Sequence, residues 1–471
     1  MNTPPQISAP EFDIPVPKEP RRYAGWYTLF AVFAIMVGGE LAQYLQRDTD
    51  PNNKYLEPLN QLQVAVQMRE SFRQLGAGPS SGFDTSLDQV ADGLEKDAAK
   101  NPVAARIYAA ARGESGDLIP PDVLGQLKQS KEPRDPYFAE VFSSKKIDPN
   151  RVHELDTKLA GGGFISKLAR TQAHEKAGDP SLRDKLVPKN AALIKFVVFG
   201  IIGLALLLGI GLWIAFLIAK AQGFLPRKGL PLERISLADA DRLAMRCAQI
   251  LLIFLGVQLV VALLVQLFKM PPEAKPIANL VIYAALITIV LSLFKVPVWE
   301  KLISLRDIGL SKVNLGKHIA WGVGAALANL PIILILAVVG QWIFAGLPKP
   351  QHPTTVQIQT GVGLPELLVI LFAASVGAPI IEEIMFRGTL LPALAKSWGR
   401  PVLAILAQGL IFAAIHPTGI PAWLPLAAIG GMSGFLSRQT GSLVPSMVMH
   451  SVHNFGTLLF ATTVFGGFIW L

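Results

Sequence analysis

The chain has 471 residues, of which 51% are hydrophobic and only 16% charged, a balance that excludes an ordinary soluble enzyme and marks a polytopic membrane protein. The formal net charge is +9, yet the basic residues lie scattered through loops without interleaved aromatics, so they speak for topology and against a nucleic-acid partner. The single cysteine, Cys247, allows no intrachain disulfide and no cysteine-based zinc site.

Residues 1–22 read as a cytoplasmic tail. The first apolar stretch, 23–45, follows Lys18, Arg21 and Arg22, is longer than a signal-peptide core and lacks a small-x-small cleavage site, so it reads as a retained anchor. Residues 46–190 are polar and punctuated by turns such as Gly76-Ala77-Gly78-Pro79. Helical stretches at Ser86 to Arg112 and Phe164 to Lys176 make this a small, mostly helical extramembrane domain.

From residue 191 onward apolar runs return. About 20 apolar residues cross a hydrocarbon core as a helix, and spans are expected to begin near Ala191, Cys247, Pro276, Ile319, Leu364, Pro401, Pro421 and Leu443. The expected architecture is all-α, a polytopic bundle of eight core helices plus the N-terminal anchor and the helical extramembrane domain. With alternating spans, most of the Lys and Arg in the short loops fall on the side of Met1. The positive-inside rule therefore places the N-terminus in the cytoplasm and residues 46–190 outside, as in a bacterial cytoplasmic membrane.

The chemistry-bearing residues cluster in the last hundred positions. An ionisable side chain at the bilayer centre costs about 2.5–3.5 kcal/mol on insertion scales, so each such residue calls for a use. Glu382 and Glu383 are adjacent, hence about 100° apart on a helix. Arg387 stands at i, i+4 from Glu383, which assigns Glu383 to an ion pair and leaves Glu382 for a cavity. A carboxylate removed from water is a better base near neutral pH than an exposed one, making Glu382 a candidate general base.

His416 closes the apolar run Phe412-Ala413-Ala414-Ile415, and His450 and Asn454 lie one turn apart on one face of the last span, able to donate to an oxyanion. His453 is one position short of that face. Three of seven histidines thus fall within this apolar region, close in sequence to the two glutamates. With no serine triad or cysteine nucleophile in evidence, the simplest chemistry for the set is activation of a water against a peptide carbonyl.

The fragments Glu382-Glu383-x-x-x-Arg387, Phe412-x-x-x-His416 and His450-x-x-x-Asn454, in this order on separate helices, resemble the three motifs of the CPBP family, the CAAX prenyl and bacteriocin-processing intramembrane proteases. Phe386-Arg387-Gly388 and Gly441-Ser442-Leu443-Val444-Pro445 extend the likeness, which covers roughly Leu302 to Phe460, is strongest from Gly377 onward and does not reach residues 46–190. The resemblance implies that the region 191–471 is the protease domain, in which Glu382 and His416 activate water and His450 and Asn454 stabilise the oxyanion. Glu383 and Arg387 would support them, with His453 nearby. The implied partner is a membrane-associated peptide or protein, in a lipid bilayer.

Cofactor need stays open at this point: none is required for a glutamate-type protease, whereas a zinc would take Glu382, His416 and His450 as ligands. Two other functions fit the composition. One is a non-proteolytic scaffold or immunity protein with the same fold; the other is an ion or proton transporter, against which stands the lack of an internal repeat.

Overall fold

A computed structural model describes residues 23–47, 53–76, 83–161, 163–187, 191–223, 235–268, 275–296, 301–310, 314–347 and 363–464, with a few positions between 350 and 358. The tail at 1–22 lies outside the described residues. Among the described residues there are sixteen helices and no strand.

Helix α1, Ala24–Arg47, is more than a tether. Its Leu29 and Val32 are buried in the same core as Leu243, Cys247 and Leu251 of α10, Leu237–Leu267. The first backbone N–H groups of a helix have no partner within it. Here Asp241 supplies one from a neighbouring helix, its Oδ1 accepting from Gly25 N at 2.9 Å and Trp26 N at 3.4 Å. A side chain at residue 25 would stand 1.9 Å from the Asp241 carbonyl oxygen, so glycine is what lets α1 come close enough for this cap.

Helices α2 (Leu56–Gln74), α3 (Phe83–Ala98), α4 (Pro102–Ser115), α5 (Pro121–Lys128), α6 (Asp135–Ser143), α7 (Pro149–Lys158) and α8 (Gly163–Lys176) surround a second core that includes Leu62, Leu87, Ile107, Leu127 and Leu168. The single helical stretch expected over Ser86 to Arg112 is two helices. Asn101 ends the first segment and caps the next, its side chain accepting from Val103 N and Ala104 N, while Pro102 occupies the first turn where its missing N–H is harmless.

Glu114, at the end of α4, is fully buried and accepts from Arg183 at 2.9 and 2.6 Å, from Gln172 at 2.6 Å and from Arg69. Burial alone would raise its carboxyl, but the Arg183 and Arg69 guanidiniums outweigh that and hold it below the ordinary carboxylate range. A lowered carboxyl stabilises the fold above its unfolded value, and that stabilisation is lost as pH falls through the folded value. Glu114→Gln leaves Arg183 under-paired and is expected to cost this domain about 3–5 kcal/mol. Faster amide exchange in α4 and α8 of the full-length variant is the check; unchanged exchange would mean the cluster does not hold the domain.

The remaining helices are α9 (Ala191–Ala221), α10, α11 (Lys275–Leu293), α12 (Leu315–Ile343), α13 (Leu364–Trp398), α14 (Pro401–Ala414), α15 (Trp423–Thr440) and α16 (Val444–Val464). Among the described residues six helices are long and apolar enough to cross a membrane: α1, α9, α10, α12, α13 and α15. That is fewer than the nine spans expected. Helix α14, Pro401–Ala414, is too short to span by itself, and α16 has the length but its apolar run is interrupted by His450, Ser451, His453 and Asn454.

Candidate active site

Helix α13 carries both glutamates and is not uniformly α-helical. Two π-helical turns, Ala373–Gly377 and Ile384–Leu390, flank the short α segment Ala378–Glu383. Pro379 cannot donate into the helical ladder, and a widened turn beside it is one way a helix absorbs that loss. Glu382 and Glu383 thus sit at the edge of a wide turn, a distortion that helical periodicity does not foretell.

Glu383 is fully buried, and its Oε1 is the hub of the site. Arg387 Nη1 donates to it at 3.0 Å, the pair expected from the i, i+4 spacing. His450 Nδ1 donates at 3.1 Å and Ser433 Oγ at 3.2 Å. Arg387 in turn donates from Nη2 to the Gly430 carbonyl at 2.9 Å, a carbonyl that also accepts from Gln408 at 2.7 Å. The guanidinium lies over the Phe412 ring, 4.8 Å from its centroid. One buried ion pair therefore ties α13 to α14, α15 and α16.

Glu382 points away from this hub, as the 100° separation demands. Its Oε2 is 3.8 Å from His416 Nε2 and 3.7 Å from His450 Nε2, beyond hydrogen-bond reach, and it is buried without a hydrogen-bond partner. The far nitrogens of both rings are committed. His416 Nδ1 lies 2.5 Å from the Phe412 carbonyl, which can only accept, so Nδ1 carries the proton. His450 Nδ1 likewise donates to the Glu383 carboxylate. In their neutral forms both imidazoles consequently turn an unprotonated Nε2 toward Glu382. Three acceptors converging on one gap favour a group that donates two protons, which a water does.

Asn454 and His453 follow His450 on α16. Asn454 Nδ2 donates to the Ala374 carbonyl within the first π turn at 2.8 Å, so one amide proton is engaged in holding α16 to α13. His453 is half-buried on α16. The zinc set of Glu382, His416 and His450 is not supported, since among the described residues no group of three His, Cys, Asp or Glu is placed to hold a metal ion. The separations of 3.8 and 3.7 Å are wider than the roughly 3.3 Å between donors of a tetrahedral zinc with bonds of about 2.0–2.1 Å.

Ser433, Gln408 and the Gly430 carbonyl also belong to the site, and their residue types do not single them out in the sequence; the ring of Phe412, the first residue of the second motif, joins them. Glycine was the available signal. A side chain at Gly430 would meet the Gly409 backbone at 2.7 Å, so the pairing of these glycines brings α14 and α15 close enough for one carbonyl to serve both Arg387 and Gln408. Phe412 stacks edge-on to Phe386 at 5.3 Å and to His450 at 5.6 Å, and lies 4.4 Å from the His416 ring.

The loop after His416 is held by α1. Gly419 has φ of +96°, and a Cβ there would lie 2.3 Å from the ring of buried Tyr44. Gly419→Ala is expected to displace the His416 loop and lower turnover by up to about 10²-fold, the scale of a 1 Å misplacement. The check is turnover at unchanged melting temperature; wild-type turnover would show that the loop tolerates the shift.

No curated protein and no solved structure matches the chain. Residues 364–456, which contain all three motifs, match the family model described as type II CAAX prenyl endopeptidase Rce1-like, so the likeness read from the motifs is shown for this segment of the chain.

Proposed function

We propose that this protein is an intramembrane endopeptidase of the CAAX type, hydrolysing a peptide bond of a membrane-associated protein. In this reading α9 to α16 form an eight-helix bundle joined by α1. The N-terminus faces the cytoplasm and α2 to α8 lie on the other side, an orientation supported by the bias of Lys and Arg among the short loops. The observation that carries the reading is Glu382 Oε2, buried without a hydrogen-bond partner and faced by two imidazole nitrogens at 3.8 and 3.7 Å whose other nitrogens are held by fixed acceptors.

A water in that gap donates one proton to Glu382 and the other to His416. As its oxygen attacks the scissile carbonyl, Glu382 takes the first proton, the C–O bond forms, and the carbonyl electrons move onto oxygen. For this step His450 takes up a solvent proton at Nε2, changing from an acceptor in the resting site to a donor, and, oriented through Nδ1 by the Glu383 carboxylate, donates to that oxyanion, joined by the second amide proton of Asn454. Collapse of the intermediate breaks the C–N bond, and Glu382 returns its proton to the leaving amine. No step passes through a metal.

Terminal-peptide mass spectrometry of membranes from cells carrying the wild type or Glu382→Ala at equal abundance tests this. New peptide termini that depend on Glu382 are expected and would name the substrate. Identical termini, with a phenotype common to both proteins, would replace the protease with the scaffold reading.

A further inference from the structure

Away from the glutamates, α9, α12 and α15 line a half-open cavity of about 420 Å³, within the 300–1,000 Å³ of typical ligand pockets. Its shape follows from one glycine contact. A side chain at Gly209 would strike the Leu327 carbonyl at 2.2 Å, so α9 and α12 touch there. Toward the C-terminal end of α9 they part, and a Cβ at Gly324 meets nothing within 4 Å. Trp213 bridges the wedge at its closed side by donating from Nε1 to the Ala328 carbonyl at 2.7 Å. Phe216 lies edge-on between Trp213 and Phe435, with ring centroids 5.6 Å apart on both sides.

The walls are almost wholly apolar, and Lys317 is the one charged residue among them. It is exposed, near the start of α12, and Lys220 is exposed in the last turn of the antiparallel α9, so the open end of an apolar slot carries positive charge. By the loop-charge rule that end faces the cytoplasmic leaflet, where anionic lipids concentrate. Neither lysine belongs to the set around Glu382.

We infer that the α9–α12–α15 cavity is a binding site for an anionic glycerophospholipid, an acyl chain filling the slot past Trp321 and Phe435 and the phosphate meeting Lys317 at its mouth. A chain lodged there would brace α15, the helix that supplies Ser433 and the Gly430 carbonyl to the ion-pair hub.

The full-length protein, reconstituted with equal phosphatidylglycerol and phosphatidylcholine and examined by native mass spectrometry, tests the site. The wild type is expected to retain phosphatidylglycerol in preference to phosphatidylcholine. Lys317→Glu should lower phosphatidylglycerol retention about fivefold or more, the weight of at least one cation at an anionic leaflet. Gly324→Leu, whose Cβ would meet no atom within 4 Å and whose side chain would occupy the slot, should remove both adducts at the wild-type melting temperature. Equal retention of the two lipids by the wild type, or phosphatidylglycerol adducts unchanged in both variants, would overturn the assignment. So would loss of proteolysis in Gly324→Leu with lipid retention intact, which would give the slot to the substrate's apolar part.

Discussion

Glu382→Gln is expected to lower peptide cleavage by about 10²–10⁴-fold, the contribution of a positioned general base, while leaving the melting temperature unchanged. Glutamine has the same shape, and its amide can donate toward the two Nε2 atoms that face Oε2, so the pocket keeps its packing. His416→Ala should produce a loss of similar size, and the double variant should be little worse than either, because groups that act on one water are not additive. Steady-state cleavage of the substrate identified by its termini is the measurement. Near-normal turnover in Glu382→Gln would remove this carboxylate from the reaction and with it the proposed mechanism.

The largest effect on stability is expected at Arg387. Its guanidinium is fully buried between Glu383 and the Gly430 carbonyl. Arg387→Met strips a buried carboxylate of its cation and leaves it neutral or weakly charged partners such as His450 and Ser433, a change that typically costs about 3–5 kcal/mol. Removing both charges in Glu383→Met/Arg387→Met fills the same space with apolar groups and should recover most of that stability. Cleavage should stay low even so, since His450 Nδ1 would have lost the acceptor that fixes its tautomer and orientation. Thermal unfolding in a constant lipid–detergent mixture, read beside turnover, separates the two effects. An Arg387→Met protein as stable as the wild type would show that the pair does not hold the bundle, and recovery of cleavage in the double variant would remove Glu383 from the positioning of His450.

What the sequence determined by itself was local or compositional. The apolar content dictated a membrane protein built of helices, and the cost of ionisable groups in hydrocarbon pointed to Glu382, Glu383, His416 and His450. The i, i+4 spacing divided the two glutamates between a cavity and an ion pair with Arg387, because partners one turn apart meet through helix geometry alone. Asn101-Pro102 was equally local, and the break it makes in Ser86 to Arg112 could have been read from the cap and the proline.

Other features needed the tertiary structure. That Glu383 gathers Arg387, His450 and Ser433 onto one oxygen depends on helices distant in sequence meeting at glycines 409 and 430, and glycine spacing does not say which helix will be the neighbour. The π turns at Ala373–Gly377 and Ile384–Leu390 flank the glutamates, and a regular helical wheel does not contain them. Helix α1 read as an anchor because hydropathy measures transfer into lipid; only the packed structure has Asp241 capping it and Tyr44 pressing on the His416 loop. Hydropathy counts apolar atoms along one chain segment, whereas a site is decided by which buried polar atoms find partners across several, and that choice is made only when the helices pack.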